Sequence, residues 1–153
     1  MDQTDAKILN LLQADAGLSA GDIAGQLGLE EDACAAAIKR LEDDGVIQQR
    51  VTLLNARKVG ANVTVFVAIT TPEHNQEWLD RFHAAVESFP EVVEFYRMSG
   101  QVDYLLRVVV PDVDGYDAFY KKLIAAANLK DVSSTFAMEQ IKYTTKLPLQ
   151  VAE

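Results

Sequence analysis

The sequence has a single cysteine, Cys34, and only two histidines, His74 and His83, in 153 residues. A lone cysteine excludes an intrachain disulfide, and so few Cys and His side chains leave no ligand set for a multi-ligand metal site. No apolar run approaches the roughly 20 residues that a membrane-crossing helix needs. The opening, Met1-Asp-Gln-Thr-Asp5, is acidic and no apolar stretch follows directly, so no secretory leader is expected and a cytoplasmic location is. Positive charge is scarce as well: 14 Lys and Arg against 23 Asp and Glu give a net charge of −9. Neither part of the chain is basic, with six basic against ten acidic residues over 1–60 and eight against thirteen over 61–153. Phosphate neutralisation requires cations, so any DNA binding must come from a local patch and not from the global field.

What is present is the composition of a soluble globular chain, 49% hydrophobic and 24% charged. Its patterning changes near residue 60. Over 1–60 the apolar residues recur at helical spacing: Ile8, Leu9, Leu11 and Leu12 after a capping Asp2, with Gly17 as the stop. Ser19-Ala-Gly-Asp22 is a capping-box variant that opens a second, short helix carrying Ile23, Ala24 and Leu27, broken by Gly28. A third helix is expected from about Glu31 to Asp44, with Cys34, Ile38 and Leu41 on one face and Gly45 behind its end. Cys34 reads as a small buried hydrophobe. Three short helices with a glycine turn between the last two form a helix-turn-helix pattern, although a helical packing or dimerisation module has the same spacing. The following Val46–Leu54 has β character, and Asn55–Asn62 reads as the linker.

Over 61–153 the order is strand, helix, hairpin, helix, strand. Val63–Ile69 is a nearly continuous apolar run, suited to a strand buried on both faces. Trp78, Leu79, Phe82, Val86 and Phe89 mark an amphipathic helix ended by Pro90. Val92–Met98 and Tyr104–Val110 flank the polar break Ser99-Gly-Gln-Val-Asp103, a hairpin whose loop is either a solvated turn or a ligand site. A second amphipathic helix carries Tyr116, Phe119, Tyr120, Leu123 and Ala127. Alternation over Val132–Tyr143 suits a long last strand, with Ser134 and Phe136 on one face and Thr135 on the other. The fold class is α+β, with the βαββαβ arrangement of a ferredoxin-like domain after the helical module. Its second sheet face has no local cover, which points to a second copy of the chain. His74 and His83, nine positions apart and remote from the loop, read as surface side chains.

Asp2-x-x-Asp5-x-x-Ile8-Leu9, Arg40-Leu-Glu-Asp-Asp-Gly-Val-Ile47 and Ser99-Gly-Gln-Val-Asp-Tyr-Leu-Leu106 together resemble the Lrp/AsnC family of amino-acid-responsive transcription regulators. The tail Ser133–Thr145 is similar to the branch that includes a cysteine-responsive activator of cysteine breakdown. The resemblance covers essentially the whole chain. It implies a winged helix-turn-helix domain over 1–60 and a ferredoxin-like effector-binding and oligomerisation domain over 61–153. It further implies double-stranded DNA as partner and sheet-to-sheet dimers that assemble into octamers. Distant Lrp-like proteins act as decarboxylases, but this sequence shows no nucleophile–base pairing or metal-ligand spacing, so no catalysis and no cofactor are expected. The expected effector is cysteine or another small or apolar amino acid. Asp103 would take its ammonium, the peptide groups at Gly100 and Gln101 its carboxylate, and Met98 and Tyr104 would shape the pocket, with Ser134, Thr135 and Phe136 approaching from the last strand.

One departure from the family pattern concerns DNA. The third helix reads Glu30-Glu-Asp-Ala-Cys-Ala-Ala-Ala-Ile38, so Ala35, Ala36 and Ala37 stand where longer polar side chains would reach base edges. Lys39, Arg40 and Arg50 remain for phosphate contacts. A ligand-binding oligomer with weakened or lost DNA binding is therefore the alternative function.

Overall fold

A computed structural model describes residues 1–72 and 75–149, and the chain forms two compact units, Met1–Leu53 with Lys142–Glu153, and Leu54–Ile141.

The first unit holds α1 (Gln3–Ala14), α2 (Ala20–Leu27) and α3 (Glu31–Asp43). Reciprocal side-chain to backbone bonds cap the first two: Asp2 with Asp5, and Ser19 with Asp22. Each satisfies N–H groups that have no partner inside the helix. Helix α3 has no side-chain cap at Glu30. Gly28 adopts φ 67° and Gly45 φ 71°, left-handed conformations that turn the chain out of α2 and past α3 without a Cβ penalty. The apolar stripes meet in a core of Ile8, Ile23, Ala24, Cys34 and Ile38. Cys34 is fully buried, and burial, with Glu31 adding to it, raises its thiol pKa. It is a packing residue. Gln13 and Leu147 exchange two hydrogen bonds, Leu147 N donating to Oε1 at 2.7 Å and Nε2 donating to Leu147 O at 3.3 Å, which tie the tail to α1.

The second unit runs β1 (Val63–Thr70), α4 (Gln76–Glu87), β2 (Val92–Arg97), β3 (Tyr104–Val110), α5 (Val113–Ala126) and β4 (Asp131–Phe136). The sheet is antiparallel in the order β2-β3-β1-β4, the expected ferredoxin-like topology. Asn75 caps α4 through Trp78 N, and Asp112 caps α5 through Gly115 N. Alternate residues of β1 and β3 (Val65, Val67, Ile69; Tyr104, Leu106, Val108) lie buried against Trp78, Phe82 and Val86 of α4 and Tyr116, Phe119 and Leu123 of α5. The other sheet face carries Phe66 at 40% and Tyr96 at 50% exposure. There Arg107 pairs with Glu94 at 2.7 Å, and Tyr96 Oη donates to Glu94 Oε2 at 3.1 Å.

Four expectations need correction. Strand β1 is not buried on both faces: Val65, Val67 and Ile69 are buried under the helices, but Phe66 on the other face is 40% exposed, because α4 and α5 cover one side of the sheet. The last strand stops at Phe136 and does not reach Tyr143, because its partner β1 begins at Val63: the ladder ends with Phe136 opposite Val65 and Ala137 N donating to Thr64 O. Beyond that point there is no strand edge to pair with, and Met138 and Ile141 are exposed. Val46–Leu54 forms no strand either; Val51, Leu53 and Leu54 are exposed, and β propensity without a partner strand yields no ladder. His83 is not a surface residue, since its ring packs between Phe82, Phe95 and Tyr104 with Nε2 buried. His74 lies outside the described residues.

Candidate functional site

The β2–β3 loop is fixed to the end of β1 by backbone geometry. Asp103 N donates to Ile69 O at 2.9 Å, and Met98 N donates to Asp103 O at 2.8 Å, closing the loop on itself. Between them Gly100 takes φ 129°, which a side chain would strain. Asp103 Oδ2 accepts the Thr71 backbone N–H at 2.8 Å, while Oδ1 has no hydrogen-bond partner among the described residues. Thr71 escapes a sequence reading, because 32 positions separate it from Asp103 and the bond to Asp103 comes from its peptide N–H.

The proposed pocket residues divide. Met98, Gly100 and Gln101 are exposed on the loop beside the half-buried Asp103. Tyr104 points away from them, 2% exposed, with its ring 5.1 Å from Phe82 and its pKa raised by burial. It supports the loop from within the core. On β4, Ser134 bonds the Tyr116 hydroxyl of α5, and Phe136 sets its ring edge-on to Tyr116 at 5.1 Å, so both turn toward the helices. Thr135 turns to the open sheet face, opposite Phe66. Ser134 pairs with Val67, whereas the loop joins the chain at Ile69 to Thr71. Within one chain the strand register therefore sets the β4 residues apart from the loop.

On α3, Ala35 and Ala36 are exposed, while Ala37 is half-buried and packs on the helical core. All three nearby cations are engaged. Lys39 pairs with Asp43 at 2.8 Å, Arg50 with Glu42 at 3.2 Å, and Arg40 with the buried Asp5 at 2.6 Å. The Asp5 anchor was not legible, as the pair spans 35 positions. No group of three or more His, Cys, Asp or Glu able to hold a metal occurs among the described residues. No helix among them is long and apolar enough to cross a membrane.

Residues 64–147 match the model of the Lrp/AsnC ligand binding domain, and residues 1–48 match a winged helix-turn-helix DNA-binding model. The chain belongs to the Lrp/AsnC family. This Lrp/AsnC protein is 48% identical over 151 residues to the DNA-binding transcriptional activator DecR of Escherichia coli K12, covering 98% of the chain and 99% of that relative. It superposes on an AsnC family transcriptional regulator from Agrobacterium tumefaciens with a TM-score of 0.94 at 59% identity, covering 97% of each chain. A regulator from Neisseria meningitidis in complex with L-methionine gives a TM-score of 0.92 at 30% identity, covering 97% of this chain and 96% of that one. With a winged helix-turn-helix joined to the family's ligand domain, the chain is an amino-acid-responsive, DNA-binding transcriptional regulator of the Lrp/AsnC type.

Proposed function

We propose that this regulator senses a small or apolar amino acid, cysteine being the first candidate, through Asp103 in an assembly of its own copies, and that the ligand changes its hold on DNA. The observation that carries the reading is the Asp103 carboxylate, held at a strand end by Thr71 N with Oδ1 left for an ammonium group as a charge-assisted acceptor. Peptide groups at Gly100 and Gln101 meet the ligand carboxylate and Met98 borders it, while Ser134, Thr135 and Phe136 belong to the neighbouring copy's share of the site. The likeness to a relative crystallised with L-methionine supports an amino acid as effector. Dimers form on the open sheet face around Phe66 and Tyr96, and rings of up to eight chains follow.

In that dimer two α3 helices enter successive major grooves about 34–36 Å apart. Ala35 and Ala36 lie near base edges, Ala37 braces the helix, and Lys39 and Arg50 turn from their carboxylates to phosphates. Arg40 chiefly holds the domain together. The protein works in the cytoplasm, with no catalytic role and no cofactor.

The test is thermal shift of the full-length protein against the twenty amino acids, followed by DNA binding with and without each hit. A ligand at about 100 times its Kd adds about 2.7 kcal/mol to native-state stability. A selective hit that Asp103→Ala abolishes is the expected result. An effector response that survives Asp103→Ala would remove this residue from the site.

A further inference from the structure

Beyond the β2–β3 loop, the second unit has a cleft of about 800 Å³ between α4, α5 and the loop leading to β4. It is of the size that ordinary small-molecule sites have. Trp78, Tyr120, Ile124 and Leu129 form apolar wall, and Arg81 and Lys130 also line it. Six of the fourteen Lys and Arg side chains of this acidic chain are held in ion pairs with carboxylates. Arg81 and Lys130 have no such partner among the described residues, and both line this one cleft. Trp78 adds a third unsatisfied donor, its buried Nε1–H having no acceptor. Asp131 is the single acid on the lining, so two cations face one anion.

We propose that this cleft binds a small monocarboxylate with an apolar substituent, a 2-oxo acid more readily than the corresponding amino acid. The carboxylate meets Arg81 and Lys130 as charge-assisted hydrogen bonds, for which a guanidinium fork is well shaped. The substituent lies along Ile124 and Leu129. With two cations against one carboxylate, the lining complements a net negative ligand and gives an added ammonium group little advantage. The cleft is separate from the Asp103 loop, although Lys130 N donates to Thr70 O while the next residue's N–H, on Thr71, holds Asp103.

Trp78 is the single tryptophan of the chain, so its fluorescence reports on this cleft directly. The full-length protein is titrated with 4-methyl-2-oxopentanoate, L-leucine and acetate at constant ionic strength. A saturable change with the 2-oxo acid is expected, at least about tenfold weaker in Arg81→Gln and in Lys130→Gln, two exposed positions whose substitution leaves the core intact. Asp103→Ala leaves the Kd unchanged, which separates this site from the effector loop. No saturation by about 10 mM, or equal affinity in both cleft variants, overturns the proposal. Binding lost in Asp103→Ala moves the ligand to the other loop and overturns it too. Equal or tighter binding of L-leucine overturns the preference for a 2-oxo acid, and an equal response to acetate overturns the apolar contact.

Discussion

Arg40 Nη2 donates to Asp5 Oδ1 across 2.6 Å, joining α3 to the first turn of α1. The Asp5 side chain is 3% exposed and the Arg40 side chain 50%, so the carboxylate depends on this partner while the guanidinium remains half-solvated. Truncating the arginine strands a buried charge, but solvent at the pair reduces the cost from that of a fully buried one. Arg40→Ala should therefore destabilise the protein by about 1–2 kcal/mol, read as a lower denaturation midpoint at unchanged m-value. An unchanged midpoint would make the pair irrelevant to stability.

The same carboxylate sets a pH dependence. The bond from Asp2 N lowers the Asp5 pKa, burial opposes it, and the Arg40 guanidinium lowers it further, so the folded value lies below the ordinary 3.8. A depressed folded pKa stabilises the native state above the unfolded value, and that stabilisation is lost as pH falls through the folded value. Wild type should exceed Asp5→Asn in stability above about pH 4, with the gap closing on further acidification. Urea melts from pH 2 to 7 read this directly, and a gap independent of pH would refute it.

Lys39 and Asp43 form an exposed i,i+4 pair on the helix assigned to DNA. Asp43→Asn removes a negative charge from the surface proposed to face phosphates and releases the Lys39 ammonium group. DNA affinity should rise for every sequence alike, and the slope of log K against log salt should steepen by about 1. Lys39→Ala should flatten it by a similar amount. Fluorescence anisotropy at several salt concentrations measures both.

Phe66 stands on the open sheet face at 40% exposure, beside β3 and β4. Phe66→Asp should leave the monomer folded, since that side chain touches no core residue of the helix-covered face, and should shift the assembly toward monomer in analytical ultracentrifugation. A charge in an apolar contact disfavours association strongly. Assembly unaffected by Phe66→Asp would place the subunit contact elsewhere.

Phe82 is fully buried beneath α4, stacked at 4.8 Å on Trp78 and edge-on to Phe95 at 5.8 Å. Phe82→Ala should cost about 3–5 kcal/mol through lost burial and a residual cavity. Chemical denaturation followed by far-UV circular dichroism supplies the number.

The sequence by itself determined the features whose causes are local. Asp2, and Ser19 with Asp22, cap helices by reaching only three residues along the chain, so spacing suffices to find them. Val63–Ile69 reads as a central strand from its nearly continuous apolar run, and Trp78, Phe82 and Val86 as one helix face because burial imprints a period on the chain. The Ser99–Asp103 loop and its acidic residue were legible as a polar break between two β-prone runs. Tertiary structure alone decided the rest. Whether the β-prone stretches Val46–Leu54 and Ala137–Tyr143 become strands depends on a partner edge, and neither stretch pairs with a strand of the sheet. Asp103 meets Thr71, Arg40 meets Asp5, and His83 enters an aromatic cluster with Phe95 and Tyr104 through folding of distant segments. Hydrogen bonds and ion pairs act over a few ångströms in space and leave no period in sequence, so only the fold brings such partners together.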